Sequence, residues 1–305
     1  MSLNALQLNG FLVINKPAQM SSARVVSTVK KILNVRKVGH TGTLDPFATG
    51  VLICCINDAT RLARFFLNGW KTYQADVHLG VETDTLDLTG TVTDLREIKD
   101  YTRLEIESAC QKFIGDTRQH PPVYSALKHN GTPLYKLARS GRPVQKPPRG
   151  VSISSIKLID IQLPMIRFEV NCSAGTYIRT LSADIGTELG CGAHLKALKR
   201  ISSSGFSLDD AVDLSNLERI SLQGRLSRTI ISMTDALKYL PEYTADNLLT
   251  QKIKHGIILN RDEISPDTEH PEGYLKIIDS ERNLLTVVQA DQNRSNYKYV
   301  CVLRT

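Results

Sequence analysis

A short loop constrains this chain more than any other stretch. Residues 38–50 read Val-Gly-His-Thr-Gly-Thr-Leu-Asp-Pro-Phe-Ala-Thr-Gly. The loop follows a segment with helical spacing and precedes the apolar run 51–56, so we predict that it joins two packed elements. Three glycines and a proline restrict its backbone to unusual angles, which favours one defined shape.

The ionisable groups of this loop near neutral pH are His40 and Asp45. Asp45 precedes Pro46, which biases the aspartate toward an extended conformation. Most aspartates before proline only hydrogen-bond their own loop. Restrained polar loops on packed scaffolds nevertheless often carry function. The residues alone therefore leave Asp45 as either a turn residue or a catalyst.

The loop resembles the catalytic motif of the TruB family of tRNA pseudouridine synthases, G-H-x-G-x-L-D-P-x-A-x-G, which the chain matches over 39–50. Four further segments resemble motifs of the same family: N-K-P-x-x-x-S-S at 15–22, K-x-Y at 71–73, T-D-T-x-D-x-x-G at 83–90 and C-S-x-G-T-Y-I-R-x-L at 172–181. The family's aspartate is its catalytic carboxylate. The resemblance therefore implies that Asp45 is the catalyst.

The same resemblance implies two partners for this carboxylate. Arg179 is expected to pair with Asp45 and keep it ionised, because a nearby cation lowers a carboxylate pKa. Tyr73 is expected to stack on the target base and is a candidate general base, whereas its simpler role is that of a tyrosine at the edge of the core. We expect Asp45 to attack either the sugar C1′ or the base C6, and the sequence leaves both open.

Three more residues complete the site that the resemblance implies. Tyr177 and Leu198 are expected to line the uracil pocket, and His40 is expected to support the distorted RNA loop. Simpler roles are core packing for Leu198 and bracing of its own loop for His40. Asp87 is expected to organise its loop, and we leave any further role open.

The resemblance implies isomerisation of uridine to pseudouridine at position 55 of tRNA, in the T-loop, after the base has flipped out of its stack. A carboxylate suffices for this reaction, so no cofactor is expected. The chain carries no P-loop, dinucleotide fingerprint or metal-ligand spacing, and we predict no metal site.

The positive charge is concentrated in one segment. The net charge is +7, and residues 117–159 contain eight basic residues and no acidic one, which leaves 30 basic and 31 acidic residues elsewhere. Prolines, glycines and tyrosines among these cations predict a projecting loop or arm, and the alternative is an ordinary basic hairpin. The segment resembles the family's thumb, and this resemblance favours an arm that grips RNA. The candidate RNA-binding residues of the arm are Lys128, Lys136, Arg139 and Arg142.

The resemblance also implies the fold class. We expect an α+β (mixed α/β) pseudouridine synthase fold with a largely antiparallel central sheet over residues 1–240, with the basic thumb at about 117–150. Residues 241–305 are expected to form a small β-rich, PUA-like RNA-binding domain. Their net charge of −2 makes them an unlikely main anchor for phosphates.

Local patterns predict the individual elements. Strands are expected at 10–16, 51–56, 71–80, 166–172, 256–259, 275–278, 284–288 and 300–303. Helices are expected from a cap at Ser21 or Ser22, at 58–68, after a capping box of Thr102 and Glu105, at 176–189 and over much of 208–240.

Cysteine use and hydropathy suggest a compartment. The six cysteines form no C-x-x-C pair, so buried thiols in a reducing compartment are expected. No secretory signal or membrane-length apolar run is visible, so we predict a cytoplasmic protein. Its expected partner is the T-arm stem-loop of tRNA, with no membrane and no obligatory protein partner.

Three rival functions remain. An RNA-binding or tRNA-remodelling protein without turnover would have no need of a carboxylate–arginine pair. A guide-RNA-dependent relative would depend on partner proteins, whereas this chain has a long basic arm. A nucleoside hydrolase would share the glycosidic chemistry but would not need the arm.

Overall fold

The computed structural model describes residues 8–264, 273–290 and 295–303, and within them the chain forms a large mixed sheet, a smaller sheet and flanking helices. The strands are β1 (Gly10–Lys16), β2 (Val38–His40), β3 (Thr49–Ile56), β4 (Lys71–Leu79), β5 (Val81–Thr83), β6 (Val92–Leu95), β7 (Gly115–Gln119), β8 (Lys128–His129), β9 (Thr132–Pro133), β10 (Arg149–Gln162), β11 (Met165–Cys172), β12 (Ala193–Ser203), β13 (Phe206–Ser207), β14 (Glu242–Thr244), β15 (Leu259–Asn260), β16 (Tyr274–Ile278), β17 (Leu284–Ala290) and β18 (Asn296–Val302). The helices are α1 (Ser22–Leu33), α2 (Arg64–Leu67), α3 (Arg103–Gln111), α4 (Leu134–Arg139), α5 (Ile178–Glu188), α6 (Leu214–Leu222), α7 (Met233–Ala236) and α8 (Asn247–Lys254).

The central sheet has the strand order β1-β3-β12-β4-β11-β10-β7, and β2 and β13 pair with β3 and β12. Its pairs are antiparallel except for β3 and β12, which run parallel. The expected α+β class and largely antiparallel sheet are therefore confirmed.

The register across three strands brings distant segments together. Gly50 on β3 is opposite Arg200 on β12, and Arg200 is opposite Tyr73 on β4. Gly50 has φ of +101°, and a Cβ there would lie 2.2 Å from the Arg200 carbonyl oxygen, so only glycine fits. The end of the 38–50 loop is thereby fixed on the sheet, at the level of Tyr73 and separated from it by the strand that carries Arg200.

Helix α1 supports the same loop from the other side. The Ser21 side chain caps it by accepting a hydrogen bond from the Arg24 amide at 3.2 Å. Its buried stripe, which includes Val25 and Val29, packs in one cluster with buried residues of β1 and β3. The helix is thus a rigid base for the 38–50 loop that follows it.

Two predicted helices are wrong in extent. The segment predicted as a helix at 58–68 is a 3-10 helix, Asn57–Leu62, followed by the four-residue α2. Ala59 and Leu62 are buried three residues apart, a spacing that suits the tighter 3-10 turn. The stretch 208–240 is broken into short helices because capping residues such as Ser207 and Ser232 each begin a new turn.

The C-terminal region is rich in β-strands, as predicted, but two of its elements differ from the prediction. A five-stranded sheet has the order β14-β16-β17-β18-β15. Helix α8 was not predicted, since its buried face is only Leu249 and Ile253. The strand expected at 256–259 is reduced to Leu259–Asn260, because Ile257 and Ile258 are exposed.

The two sheets share one hydrophobic cluster. Ile278 and Val287 of the small sheet are buried together with Phe11 and Val51 of the central sheet. A domain boundary at 240/241 stays a prediction, as does the PUA-like character of residues 241–305. No helix among residues 8–264, 273–290 and 295–303 is long and apolar enough to cross a membrane.

Candidate active site

Buried side chains hold the loop that carries Asp45. The Ser22 hydroxyl bonds both backbone groups of Leu44. It accepts a hydrogen bond from the Leu44 N–H at 2.9 Å and donates one to the Leu44 carbonyl at 3.1 Å. The Lys16 ammonium donates to the Pro17 and Pro46 carbonyls at 2.9 and 3.1 Å. Burial lowers the pKa of Lys16 to about 8, although the nearby Asp45 carboxylate opposes this.

The structure brings Asp45 and Arg179 into contact across 134 residues of chain. Arg179 Nε lies 3.0 Å from Asp45 Oδ2, in an ion pair whose N–H is not aligned as a hydrogen bond. The same guanidinium donates a longer hydrogen bond of 3.4 Å to Oδ1. The Arg179 side chain is 5% exposed and that of Asp45 is 34% exposed, so the carboxylate is the partner that faces the cleft.

Arg179 also joins two further segments, which sequence reasoning missed. It donates to the Thr85 carbonyl at 3.1 Å and to the Tyr124 carbonyl at 2.9 Å. The buried Asp87 carboxylate lies 3.5 Å from its Nη1. Asp87 does organise its loop, since it accepts from the Thr89 amide at 2.9 Å, and it also faces the Arg179 guanidinium. The T-D-T-x-D-x-x-G motif was the available signal.

The charge environment of Asp45 differs from the expectation. Burial raises the pKa of Asp45 above its ordinary value of 3.8, and the opposing effect of Arg179 is smaller. Asp87 adds to the rise because it is a second carboxylate nearby. Arg179 therefore limits the rise in pKa that burial imposes and does not produce the net lowering we expected.

Tyr73 lies in the same cleft, and its surroundings bear on its chemistry. The Arg200 guanidinium, a buried cation, is close to the phenol and also donates to the Val51 carbonyl at 2.7 Å. Burial raises the pKa of Tyr73, although Arg200 opposes this. The hydroxyl thus stays protonated at neutral pH, which favours stacking over the general-base role.

A cleft of about 310 Å³ opens above these groups. Asp45, Tyr73, Tyr177, Arg179 and Leu198 all line it, so the fold brings together five of the six predicted residues. Its size falls at the lower end of the range for small-ligand pockets. Within the described ranges, no three His, Cys, Asp or Glu side chains are grouped to hold a metal ion.

His40 is the predicted residue that does not line this cleft. It lies on β2, and its Nδ1 accepts a hydrogen bond from the Gly42 amide at 3.3 Å. Burial lowers the pKa of His40, and the nearby Arg200 lowers it further, so the neutral imidazole is favoured. This contact is the loop-bracing role that the sequence analysis weighed against RNA support.

Tyr177 is held by two residues that the sequence analysis did not single out. It caps α5, and its amide donates to the Gln119 side-chain oxygen at 2.7 Å while the Gln119 amide donates to its carbonyl at 3.0 Å. The Arg149 guanidinium carbon lies 4.8 Å from the centre of the Tyr177 ring. Gln119 is the last residue of β7 and Arg149 is the first residue of β10, and no motif marks either strand.

The basic arm leaves the sheet where β7 and β10 pair. Gln119 and Arg149 are opposite each other in that pairing, so the residues between them form an excursion from the sheet. Within it, β8, β9 and α4 form a short hairpin and helix. All four predicted RNA-binding cations are exposed on this arm: Lys128, Lys136, Arg139 and Arg142.

Two family models cover most of the chain. Residues 30–178 match the TruB family pseudouridylate synthase N-terminal domain, and residues 179–238 match the tRNA pseudouridylate synthase B C-terminal domain. A tRNA pseudouridine synthase B of Francisella philomiragia is 40% identical over 96% of this chain and 95% of its own length. Another, from Geotalea uraniireducens, is 43% identical over 82% of this chain and 81% of its own.

Solved structures agree on the fold. A chain from a crystal structure of a Cbf5–Nop10–Gar1 complex matches with a TM-score of 0.74 and 26% identity, over 97% of this chain and 84% of that chain. A chain from an H/ACA RNP bound to a substrate RNA containing 2′-deoxyuridine matches with a TM-score of 0.71, over 92% of this chain and 78% of that chain. The protein with Asp45 and Arg179 at its cleft floor therefore belongs to the TruB family of tRNA pseudouridine synthases, which are isomerases.

Proposed function

We propose that the protein converts the uridine at position 55 of tRNA, in the T-loop, to pseudouridine with Asp45 as the catalytic carboxylate. The observation that carries this proposal is the Asp45–Arg179 ion pair at the floor of a cleft. A protein that only binds RNA has no use for a carboxylate held against the cost of burial. The exposed basic arm beside the cleft suits the phosphates of a T-arm stem-loop.

The reaction begins with extrusion of the target base, at a cost of a few kcal/mol that contacts in the pocket offset. The Asp45 carboxylate then attacks the sugar C1′ or the base C6, and the bond between N1 and C1′ breaks. The base rotates, a bond forms between C5 and C1′, and the bond from the Asp45 carboxylate to C1′ or C6 breaks, which regenerates the free carboxylate. The proton on C5 is lost while N1 gains one. Atoms and electrons balance without an oxidant, a reductant or a cofactor.

The cleft residues take distinct roles in this proposal. Tyr73 stacks on the extruded base, and Tyr177 and Leu198 enclose it, as all three line the cleft. Arg179 orients the carboxylate and limits the rise of its pKa. His40 supports the RNA indirectly, by bracing the loop at Gly42.

Tritium release tests the proposal directly. A T-arm stem-loop with tritium at C5 of the target uracil should release it to water with the wild-type protein. The Asp45→Asn variant should be slower by about 10⁴-fold, because a catalytic group that acts within a unit is lost. Both proteins should bind the RNA, since Asp45 is not among the cations that hold phosphates.

The outcomes separate the rival functions. Binding without release by either protein would support an RNA-binding or tRNA-remodelling role. Equal release by both would exclude Asp45 as the catalyst. Release from a stem-loop whose T-loop uridine is replaced by cytidine, with tritium on another uridine, would exclude the proposed target. Activity of the purified chain alone would support the absence of an obligatory protein partner.

A further inference from the structure

Four cations line the cleft, and three of them are already engaged. Arg179 contacts two carboxylates and two carbonyls. Arg200 donates to the Val51 and Gly42 carbonyls at 2.7 and 3.1 Å. Lys71 donates to the Leu67 and Gly69 carbonyls at 3.2 and 2.7 Å. The fourth cation, Arg149, has a different set of contacts.

Arg149 uses only a small part of its donor capacity. One Nη donates to the Gly175 carbonyl, and in the part of the chain that the structure describes the guanidinium forms no ion pair with a carboxylate. Its Nε is buried and has no hydrogen-bond partner. A guanidinium has five N–H donors. With the Nε–H buried and one Nη–H bonded to Gly175, up to three Nη donors of Arg149 remain for a ligand.

The position of this guanidinium is nevertheless fixed. It lies over the Tyr177 ring, with 4.8 Å from the guanidinium carbon to the ring centre. Gly175 has φ of +93°, and a Cβ at that position would lie 3.3 Å from an Arg149 nitrogen, so the glycine permits the close approach. Gln119, opposite Arg149 in the strand pairing, holds the Tyr177 backbone from below. Arg149 is therefore a preorganised planar cation.

Arg149 also lies where an RNA strand must pass. It is the first residue of β10, at the neck of the basic arm, and it lines the same cleft as Asp45. A nucleotide extruded into this cleft brings its own two flanking phosphates with it. A planar, always charged fork of donors matches phosphate oxygens better than it matches a neutral base edge.

We propose that Arg149 binds a phosphodiester that flanks the target nucleotide and, through its stack on Tyr177, couples the path of the backbone to the base pocket. This inference rests on the proposed function for its ligand, an RNA strand with one nucleotide in the cleft. Arg149 holds the substrate and takes no part in bond making.

A neutralised phosphate tests this assignment. T-arm stem-loops are made with a single methylphosphonate on the 5′ or the 3′ side of the target uridine, and each is assayed with wild type and with Arg149→Met. With the natural stem-loop, Arg149→Met should raise KM by about 10-fold, as expected for loss of a hydrogen bond to a charged group. The change in kcat should be smaller than the change in KM.

The effects of Arg149→Met and of the methylphosphonate on KM should not add if both remove the same contact. At one of the two positions the methylphosphonate should weaken the wild type to a similar extent and cause no further loss in the variant. Arg149→Lys should recover part of the affinity because it keeps the charge, but not the planar stack. The logarithmic salt slope of binding should fall by about 0.7 to 0.9 in Arg149→Met, the value for one phosphate contact.

Controls separate failure of this inference from failure of the proposed function. Arg103→Met removes an exposed arginine that pairs with Glu107 on α3, and it should leave KM and the salt slope unchanged. Additive losses at both methylphosphonate positions would overturn the assignment while turnover by the wild type still supports the function. Absence of turnover by the wild type on the natural stem-loop would instead count against the function.

Discussion

Two arginine–aspartate pairs in this protein show how strongly the surroundings of an ion pair affect its role. Arg167 and Asp76 face each other on neighbouring strands β11 and β4, with Nη2 donating to Oδ2 at 2.9 Å. Arg179 and Asp45 form the pair at the cleft floor. The Arg167 side chain is 50% exposed, whereas the Arg179 side chain is 5% exposed. The residue types are the same and the energetic consequences are different.

Water accounts for this difference. On the sheet surface the Arg167 side chain is half exposed, so solvent stabilises its charge whether or not it pairs, and the pair contributes about 0 to 1 kcal/mol. In the cleft, burial raises the pKa of Asp45 despite its cation, whereas the Asp76 carboxylate raises the pKa of Arg167. A pair that burial opposes is weak evidence for stability and stronger evidence for function.

The largest expected effect comes from removing the arginine of the cleft pair. Arg179→Met should lower kcat by about 10² to 10³-fold, because it leaves the Asp45 carboxylate without its orienting cation. It should also reduce the free energy of unfolding by about 3 kcal/mol, since the buried Asp87 carboxylate loses its partner and the partly exposed Asp45 carboxylate loses its own. Tritium release and urea unfolding measure the two quantities.

Arg167→Met is the matched control for that variant. It should leave kcat within about 2-fold and change the free energy of unfolding by at most about 1 kcal/mol. Similar losses of kcat and of stability from Arg179→Met and Arg167→Met would show that the two pairs do not differ in role.

A smaller effect is expected at the second carboxylate beside Arg179. Asp87→Asn should lower kcat by about 10-fold, because a charged contact to the Arg179 guanidinium is lost while the loop keeps its shape. Asp84→Asn is the control, since Asp84 accepts from the Thr91 amide in the same loop at 2.8 Å and forms no ion pair with Arg179. Single-turnover rates distinguish the two variants. Equal losses of rate in both would show that Asp87 acts only by shaping its loop.

The exposed cations of the basic arm, which pair with no carboxylate in the described residues, extend the comparison of buried and exposed charges. Lys136→Gln and Arg139→Gln should each raise the Kd for the T-arm stem-loop by about 3-fold at moderate salt and leave single-turnover kcat unchanged. Both side chains are exposed on α4, where salt screens their charge. Lys157→Gln, on β10 opposite Glu169, should alter neither quantity. A loss of kcat in the arm variants would show that the arm acts on chemistry.

The smallest expected effect is a change in stability with pH. Because the folded-state pKa of Asp45 is raised, its contribution to stability is present below its ordinary value of 3.8 and is lost as the pH rises through the folded-state value. Asp45→Asn lacks this loss, so the difference in stability between the variant and the wild type should move in favour of the variant as the pH rises. Thermal unfolding at several pH values measures the difference, which should grow as the pH rises from about 4. A difference that shrinks over this range would contradict the raised pKa.

Much of the site could be predicted from local patterns. The sequence indicated the Asp45 loop, the strand that carries Tyr73 and the position of Arg179, because turn residues, strand alternation and recognised motifs lie within short windows. Helix α1 and the capping box of Thr102 and Glu105 follow from local chemistry for the same reason. The cluster of eight cations over residues 117–159, which includes the arm, was visible as composition alone.

Contacts between distant segments could not be predicted in this way. The sequence did not indicate that Asp87 lies behind Arg179, that Gln119 clamps Tyr177 or that Arg149 covers its ring. Each depends on which strands are neighbours, and strand order is a property of the whole sheet. The direction of the Asp45 pKa shift was also predicted wrongly, since the cation was evident from the motif and the burial was not.

The sequence by itself thus determined which groups this protein can use: a carboxylate on a restrained loop, an arginine, a tyrosine and a basic arm. The tertiary structure alone decided which of those groups meet and how far each is removed from water. The physical reason is that backbone preferences act over a few residues, whereas desolvation and charge pairing depend on what packs around a group from every part of the chain.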